Sequence, residues 1–216
     1  MNEKKSLKEQ LRHVFSRSFA YDNVVLVQGL GLCPIIAAGT TLQRGVALTA
    51  CTFAVLLPSS LLMFALGRKM PIALRTPLYT ILAVALMVGC GFVMNTYISP
   101  ELYASLYLFL PLLAVNTLFT FRAGSFSGGR NPLVTLVDAL GTSLGFGMVV
   151  CVISVLREMA ATGTIWGKPL GFEARFPEAA YPFAAIILLG FMAALLRQIR
   201  SNRVVTLVEG EAILSE

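Results

Sequence analysis

The sequence predicts an all-α integral membrane protein of six transmembrane helices, arranged as an inverted 3+3 repeat with broken first and fourth helices. Three observations carry that expectation. The 216 residues are 56% hydrophobic and only 13% charged, where soluble domains run near about 25% charged. Six apolar stretches each approach the roughly 20 residues that a helix needs to cross a bilayer. Lys and Arg also fall very unevenly between alternate connections, which assigns the sides of the membrane.

The stretches are approximately 23–41, 46–66, 76–96, 101–121, 132–157 and 178–197. The first carries Gly29, Gly31 and Pro34 in its middle, and proline has no N–H to donate to the carbonyl four residues back. The second is interrupted by Pro58, followed by Ser59 and Ser60, whose hydroxyls are placed to satisfy the opened backbone. The fourth contains Pro111, and the fifth carries Gly141, Gly145 and Gly147 with GxxxG spacing, which lets helices approach closely, within the chain or in a partner. Such breaks are tolerated in a membrane where neighbours or local unwinding satisfy the freed groups. Residues 1–22 are charged and lack the apolar core of a signal peptide. They read as a cytoplasmic amphipathic segment at the interface. Residues 23–197 form the six-helix membrane domain. Residues 198–216, acidic at Glu209, Glu211 and Glu216, read as a cytoplasmic tail.

Thirteen Lys and Arg fall on the side of the termini and four on the other, so both termini are expected in the cytoplasm. The net charge of +6 is thereby explained by inner loops, with no nucleic-acid partner. The longest outer connection, about 158–177, holds Trp166, Pro169 and Phe172 and is expected on the membrane surface. Two halves of three spans each must run in opposite senses. That is the inverted arrangement in which matching broken helices build a midplane site.

A single histidine, His13, precedes the first apolar run, which excludes a His-based triad or a His-rich metal site within the bundle. Cys33, Cys51, Cys90 and Cys151 lie in apolar segments without CxxC spacing, so disulfides are not expected. The loop Gly124–Gly129 lacks the Gly-Lys-Ser ending of a phosphate-binding loop. Cys33 followed by Pro34 is the most informative pair. It lies roughly 15 Å into span one, near the bilayer middle, where a thiol is either a soft-metal ligand or small packing beside a kink. Asp138, inside span five, is a candidate for cation access or a hydrogen-bonding partner of Asn131, Thr135 or a neighbouring helix. Arg157 and Glu158 close that span and read as an interfacial anchor.

The stretch Leu26-Val27-Gln28-Gly29-Leu30-Gly31-Leu32-Cys33-Pro34 resembles the first-span signature of the E subunit of the Rnf electron-transport complex. That family also includes the D subunit of the sodium-pumping NADH:quinone reductase. The resemblance continues in order through Arg75-Thr76-Pro77, Leu102 to Leu112, Asn131-Pro132, Leu136 to Gly141, Arg157-Glu158, Gly163 to Gly167 and Pro182-Phe183. It covers about residues 20–197.

The resemblance implies an electron-transfer component of a translocase, with no catalytic site of its own and no flavin on this chain. In that family two homologous six-span subunits pack as an inverted pair. Each supplies cysteines from its broken first and fourth spans to one [2Fe–2S] cluster, which links flavin and iron–sulfur subunits on the two faces. The relay is coupled to Na⁺ or H⁺ translocation across the cytoplasmic membrane. Cys33 matches the first-span ligand, and an Rnf A-like chain is the implied partner within the lipid. Thr117 stands where the second cysteine is expected, and Gly124 where the family has glutamate. A threonine hydroxyl is a poor iron ligand, so another ligand would have to substitute, and Cys90 near mid-depth of span three is one conceivable replacement. The alternatives to the relay are a cluster-less structural or ion-path subunit of the same fold, and an unrelated inverted-repeat transporter.

Overall fold

The computed structural model describes residues 2–16, 18, 19, 23, 25–67, 71–115, 132–169, 171 and 176–214. Thr117, Gly124, the rest of the loop to Gly129, Asn131 and Phe172 lie outside the described residues. The helices are α1 (Asn2–Ser16), α2 (Leu32–Ala38), α3 (Leu42–Gly67), α4 (Ile72–Val93), α5 (Pro100–Leu106), α6 (Phe109–Ala114), α7 (Pro132–Thr162) and α8 (Pro182–Leu214). Among the described residues, four helical stretches are long and apolar enough to cross a membrane: Leu42–Leu62, Leu74–Ile98, Pro132–Thr162 and Pro182–Ser201. They correspond to the second, third, fifth and sixth apolar stretches.

The first and fourth stretches form short pieces instead. In the first, one helical turn closes with Val27 N–H on Asn23 O (2.9 Å) and Gly29 N–H on Val25 O (3.1 Å). Gly29 (φ 67°) and Gly31 (φ 81°) then take left-handed conformations, which glycine adopts without a Cβ penalty. Pro34 is the third residue of α2, in the first turn, where its missing N–H has no intrahelical partner to lose. The break therefore falls on the glycines rather than at the proline. In the fourth stretch Pro111 cannot donate to Tyr107 O, and the helix is interrupted at Tyr107 and Leu108. The two short pieces α2 and α6 pack on each other, and α6 also packs on α4.

Pro58 lies inside α3 and frees the carbonyl of Ala54. The following serines bind the neighbouring carbonyls rather than that one. Ser59 Oγ sits 2.6 Å from Val55 O and Ser60 Oγ donates to Leu57 O at 2.8 Å. Ser59 Oγ also stands 3.2 Å from Tyr79 Oη, tying α3 to α4. Beyond Val93, α4 passes through a π-helical turn, Met94–Ile98. Extended Ser99 then accepts the Leu102 N–H and caps α5, with Pro100 at its first position, an arrangement suited to both residues.

α7 is the post around which the rest is built. Of its most apolar window 61% is buried, against 11% for α8. α8 turns Ile186, Ile187, Phe191 and Leu195 outward and continues to Leu214 as helix, through residues that the hydropathy pattern places in a tail. The glycines of α7 are used inside the chain, Gly141 and Gly145 on one face and Gly147 on another. A Cβ on Gly141 would stand 3.2 Å from Phe15 O, one on Gly145 would stand 3.0 Å from Phe19 O, and one on Gly147 would stand 2.2 Å from Thr49 Cγ2. The N-terminal segment thus docks on span five, where its backbone meets glycine instead of lying along an interface alone. Strands β1 (Thr164–Ile165) and β2 (Lys168–Pro169) form a small antiparallel hairpin after α7, pairing Thr164 with Pro169 and Ile165 with Lys168. Its turn residues Trp166 (φ 57°) and Gly167 (φ 72°) are both left-handed, as the twist of a two-residue hairpin loop requires.

Candidate functional site

The Gly29–Gly31 break sets Cys33 at the start of a helix of seven residues. Leu30 and Leu32 on either side of Gly31 pack against the apolar core, so the loop is anchored while the cysteine points away from it. Of the four free cysteines, Cys33 is the exposed one; Cys51 is buried, and Cys90 and Cys151 are half-buried. A [2Fe–2S] cluster takes four cysteine thiolates. Among the described residues no group of three or more His, Cys, Asp or Glu side chains converges to hold a metal. The described donor set therefore does not fit a cluster held by these residues alone.

The far end of α2 is held by Arg157. This residue is not at the surface, as an interfacial anchor would be, but wholly buried at 0% exposure. Its guanidinium donates to five main-chain carbonyls: Nη1 to Ile36 O (3.1 Å) and Gly39 O (2.9 Å), Nε to Ala179 O (3.1 Å), and Nη2 to Ala180 O (2.7 Å) and Tyr181 O (3.2 Å). Two chain ends with unsatisfied carbonyls converge on it, the close of α2 and the 3-10 turn Pro177–Ala180 that leads into α8. Such ends carry partial negative charge, which accounts for a buried cation here. Glu158 accepts from Leu42 N–H (2.6 Å) at the start of α3, from Thr164 Oγ1 (3.2 Å) and from Gly167 N–H (2.9 Å) in the hairpin. The two neighbouring side chains thus tie α2, α3, α7, the hairpin and the start of α8 together. Gly39 and Gly45 allow this close approach, since a Cβ on Gly45 would stand 2.6 Å from Ser154 Oγ of α7.

Cys90 packs from α4 against the apolar core. Its thiol neighbours that of Cys51 across the α3–α4 interface. Cys151 Sγ faces Thr49 Oγ1 at 3.9 Å. Asp138 is buried and accepts a hydrogen bond from Ser18 Oγ of the N-terminal segment. Ser18, which no spacing in the sequence singled out, is thus one of its partners, while Asn131 lies outside the described residues. Nearby, Asn23 Nδ2 donates to Gly145 O (3.1 Å) and Phe19 O (3.1 Å), so polar contacts as well as glycine packing hold this segment. The pairing of Arg157 with carbonyls 22 to 121 positions away was equally invisible, because a main-chain acceptor leaves no residue-type signature.

Residues 11–196 match the sequence profile of the Rnf-Nqr subunit, a membrane protein. The chain belongs to the Rnf-Nqr family. Relatives of this Rnf-Nqr chain include the E subunit of the ion-translocating oxidoreductase complex of Shewanella oneidensis, to which it is 32% identical over 189 residues, 81% of each chain. It is 30% identical over 189 residues to the protein of the same name from Aliivibrio fischeri strain ES114, covering 81% of this chain and 83% of that one. The matched region of the Rnf-Nqr chain takes in the Cys33 loop, Asp138 and the Arg157–Glu158 clamp, and it ends within α8.

Proposed function

We propose that this chain is the E-type membrane subunit of an Rnf-type ion-translocating oxidoreductase complex. It contributes Cys33 as one thiolate ligand to an intramembrane [2Fe–2S] cluster shared with a pseudo-symmetric Rnf A-like subunit. The observation that carries the reading is the placement of Cys33, an exposed thiol at a glycine-made break within a family of membrane subunits. A ligand shared between chains has to face outward, and the other three cysteines do not. The contact of α2 with α6 agrees with an inverted repeat whose broken first and fourth spans meet. When bound, the cluster supplies one-electron transfer between flavin and iron–sulfur subunits on the two faces. This chain's own residues hold the ligand in place: Gly29 and Gly31 turn the backbone, and Leu30 and Leu32 keep its base apolar. Arg157 fixes the far end of α2, and Glu158 the start of α3 that follows. The complex couples the relay to Na⁺ or H⁺ movement across a cytoplasmic membrane, with both termini of this chain inside.

Iron, acid-labile sulfide and the EPR spectrum of the reduced form, measured on the co-purified complex, test the reading. A [2Fe–2S] signal is expected in the wild type and is lost in Cys33→Ala while the complex still assembles. No midplane cluster signal in the wild type would sink the relay, and a cluster intact in the variant would remove Cys33 as a ligand. Thr117, in place of the second cysteine, favours the other reading, a cluster-less structural or ion-path subunit of the same complex. An A-like partner that also lacks its fourth-span cysteine would support it.

A further inference from the structure

The half-helix that carries Cys33 is too short to hold a position by itself. Seven residues make about two turns, and isolated helices below about 12 residues are marginal. Its buried face, Pro34, Ile35 and Ala38, packs on α6, α8 and α3, and its setting along that face depends on what its ends touch. At the cysteine end the chain leaves through two left-handed glycines, Gly29 and Gly31, which supply a pivot and no side chain. At the other end Ile36 O and Gly39 O both terminate on the Arg157 guanidinium, which is also bound to Ala179 O, Ala180 O and Tyr181 O. A guanidinium has five N–H groups, and all five are used.

We propose that Arg157 is the positioning residue for Cys33. By fastening the carbonyl end of α2 to spans five and six, it sets where the Cys33 thiol stands. Ile36 is three residues from Cys33, about 4.5 Å along the helix axis, so releasing the carbonyl end swings a short rigid rod about its glycine pivot. Lysine cannot replace it, because an ammonium brings three donors from one point where five carbonyls are arranged around a planar fork. The functional weight of this inference rests on the cluster-ligand reading, but the geometric statement does not.

The test uses the whole complex in native membranes with Arg157→Lys and Arg157→Gln. Each cysteine is alkylated with a small membrane-permeant maleimide and quantified by mass spectrometry over time, and iron and the EPR line shape are measured on the same preparations. The expected result is a Cys33 alkylation rate changed about fivefold or more in Arg157→Gln and less in Arg157→Lys. Cys51, buried in the α3–α4 interface, should remain protected as in the parent. If a cluster is present, its line shape should shift or its occupancy fall in the same order. An unchanged Cys33 rate in both variants would overturn the proposal. Exposure of Cys51 together with Cys33 in both would overturn it too, by making Arg157 a support for the whole bundle. Absence of iron in the parent complex removes the cluster reading while leaving the alkylation comparison intact, so the two failures are told apart.

Discussion

Gly147 of α7 offers the sharpest test of how the bundle is packed. A Cβ built there would lie 2.2 Å from Thr49 Cγ2 and 3.1 Å from Thr49 Oγ1. Carbon atoms in contact settle near about 3.5–4.0 Å, so Gly147→Ala asks the α3–α7 interface to open by more than about 1 Å or Thr49 to rotate. Rotation is opposed because Thr49 Oγ1 donates to Gly45 O at 2.8 Å. Overpacking of this kind costs about 1–3 kcal/mol, a fall in Tm of roughly 2–4 °C per kcal/mol for a chain of this size. Thr49→Ala removes both offending atoms and should cost less by itself. The double variant should then recover most of the Gly147→Ala loss, with a coupling of at least about 1 kcal/mol. Gly190→Ala, inside α8 where a Cβ meets nothing within 4 Å, is the control and should leave Tm the same or slightly higher. Thermal unfolding of the detergent-solubilised protein, followed by loss of the monodisperse peak, reads all four variants. A neutral Gly147→Ala, or penalties that simply add in the double variant, would refute the close approach of α3 and α7 at this level.

Three further outcomes follow from the same geometry. Gly145→Val should displace the N-terminal segment, because its Cβ would press on Phe19 O at 3.0 Å; limited trypsin digestion in membranes should then cut at Lys8 or Arg12 at least several times faster. Asp138→Ala should cost about 1–3 kcal/mol by stranding the buried Ser18 hydroxyl, while Asp138→Asn, which keeps an acceptor oxygen, should cost clearly less in the same thermal assay; equal losses would argue for a role of the charge itself. Mild oxidation with copper phenanthroline should join Cys51 to Cys90, removing two hydrogens from the mass of the peptide pair, with no such bridge from Cys33. Failure to form that bridge would contradict the meeting of the two thiols across α3 and α4.

The Gly29, Gly31 and Pro111 interruptions were legible in advance because backbone freedom and a missing N–H act locally, at the residue that carries them. The position of the break was less so: Pro34 marked its neighbourhood, yet a proline in the first turn of a helix loses no bond, and the two glycines took the strain. The GxxxG face of α7 announced a close neighbour without saying which, since small residues specify room and not the occupant. The occupant proved to be the backbone around Phe15 and Phe19, while Gly147, on another side of the helix, meets Thr49 of α3.

Hydropathy, glycine and proline spacing and the Cys33 motif are properties of short stretches, and the residues of short stretches are sufficient to determine them. They set the all-helical membrane class, the long apolar helices and the two broken stretches. Tertiary structure alone decided that Arg157 is buried, that its five N–H groups close two chain ends, that Glu158 caps α3 and the hairpin, and that Cys90 neighbours Cys51. Those pairings link positions up to 121 residues apart, several of them through main-chain carbonyls common to every residue. A guanidinium finds its acceptors only once packing has brought those chain ends together.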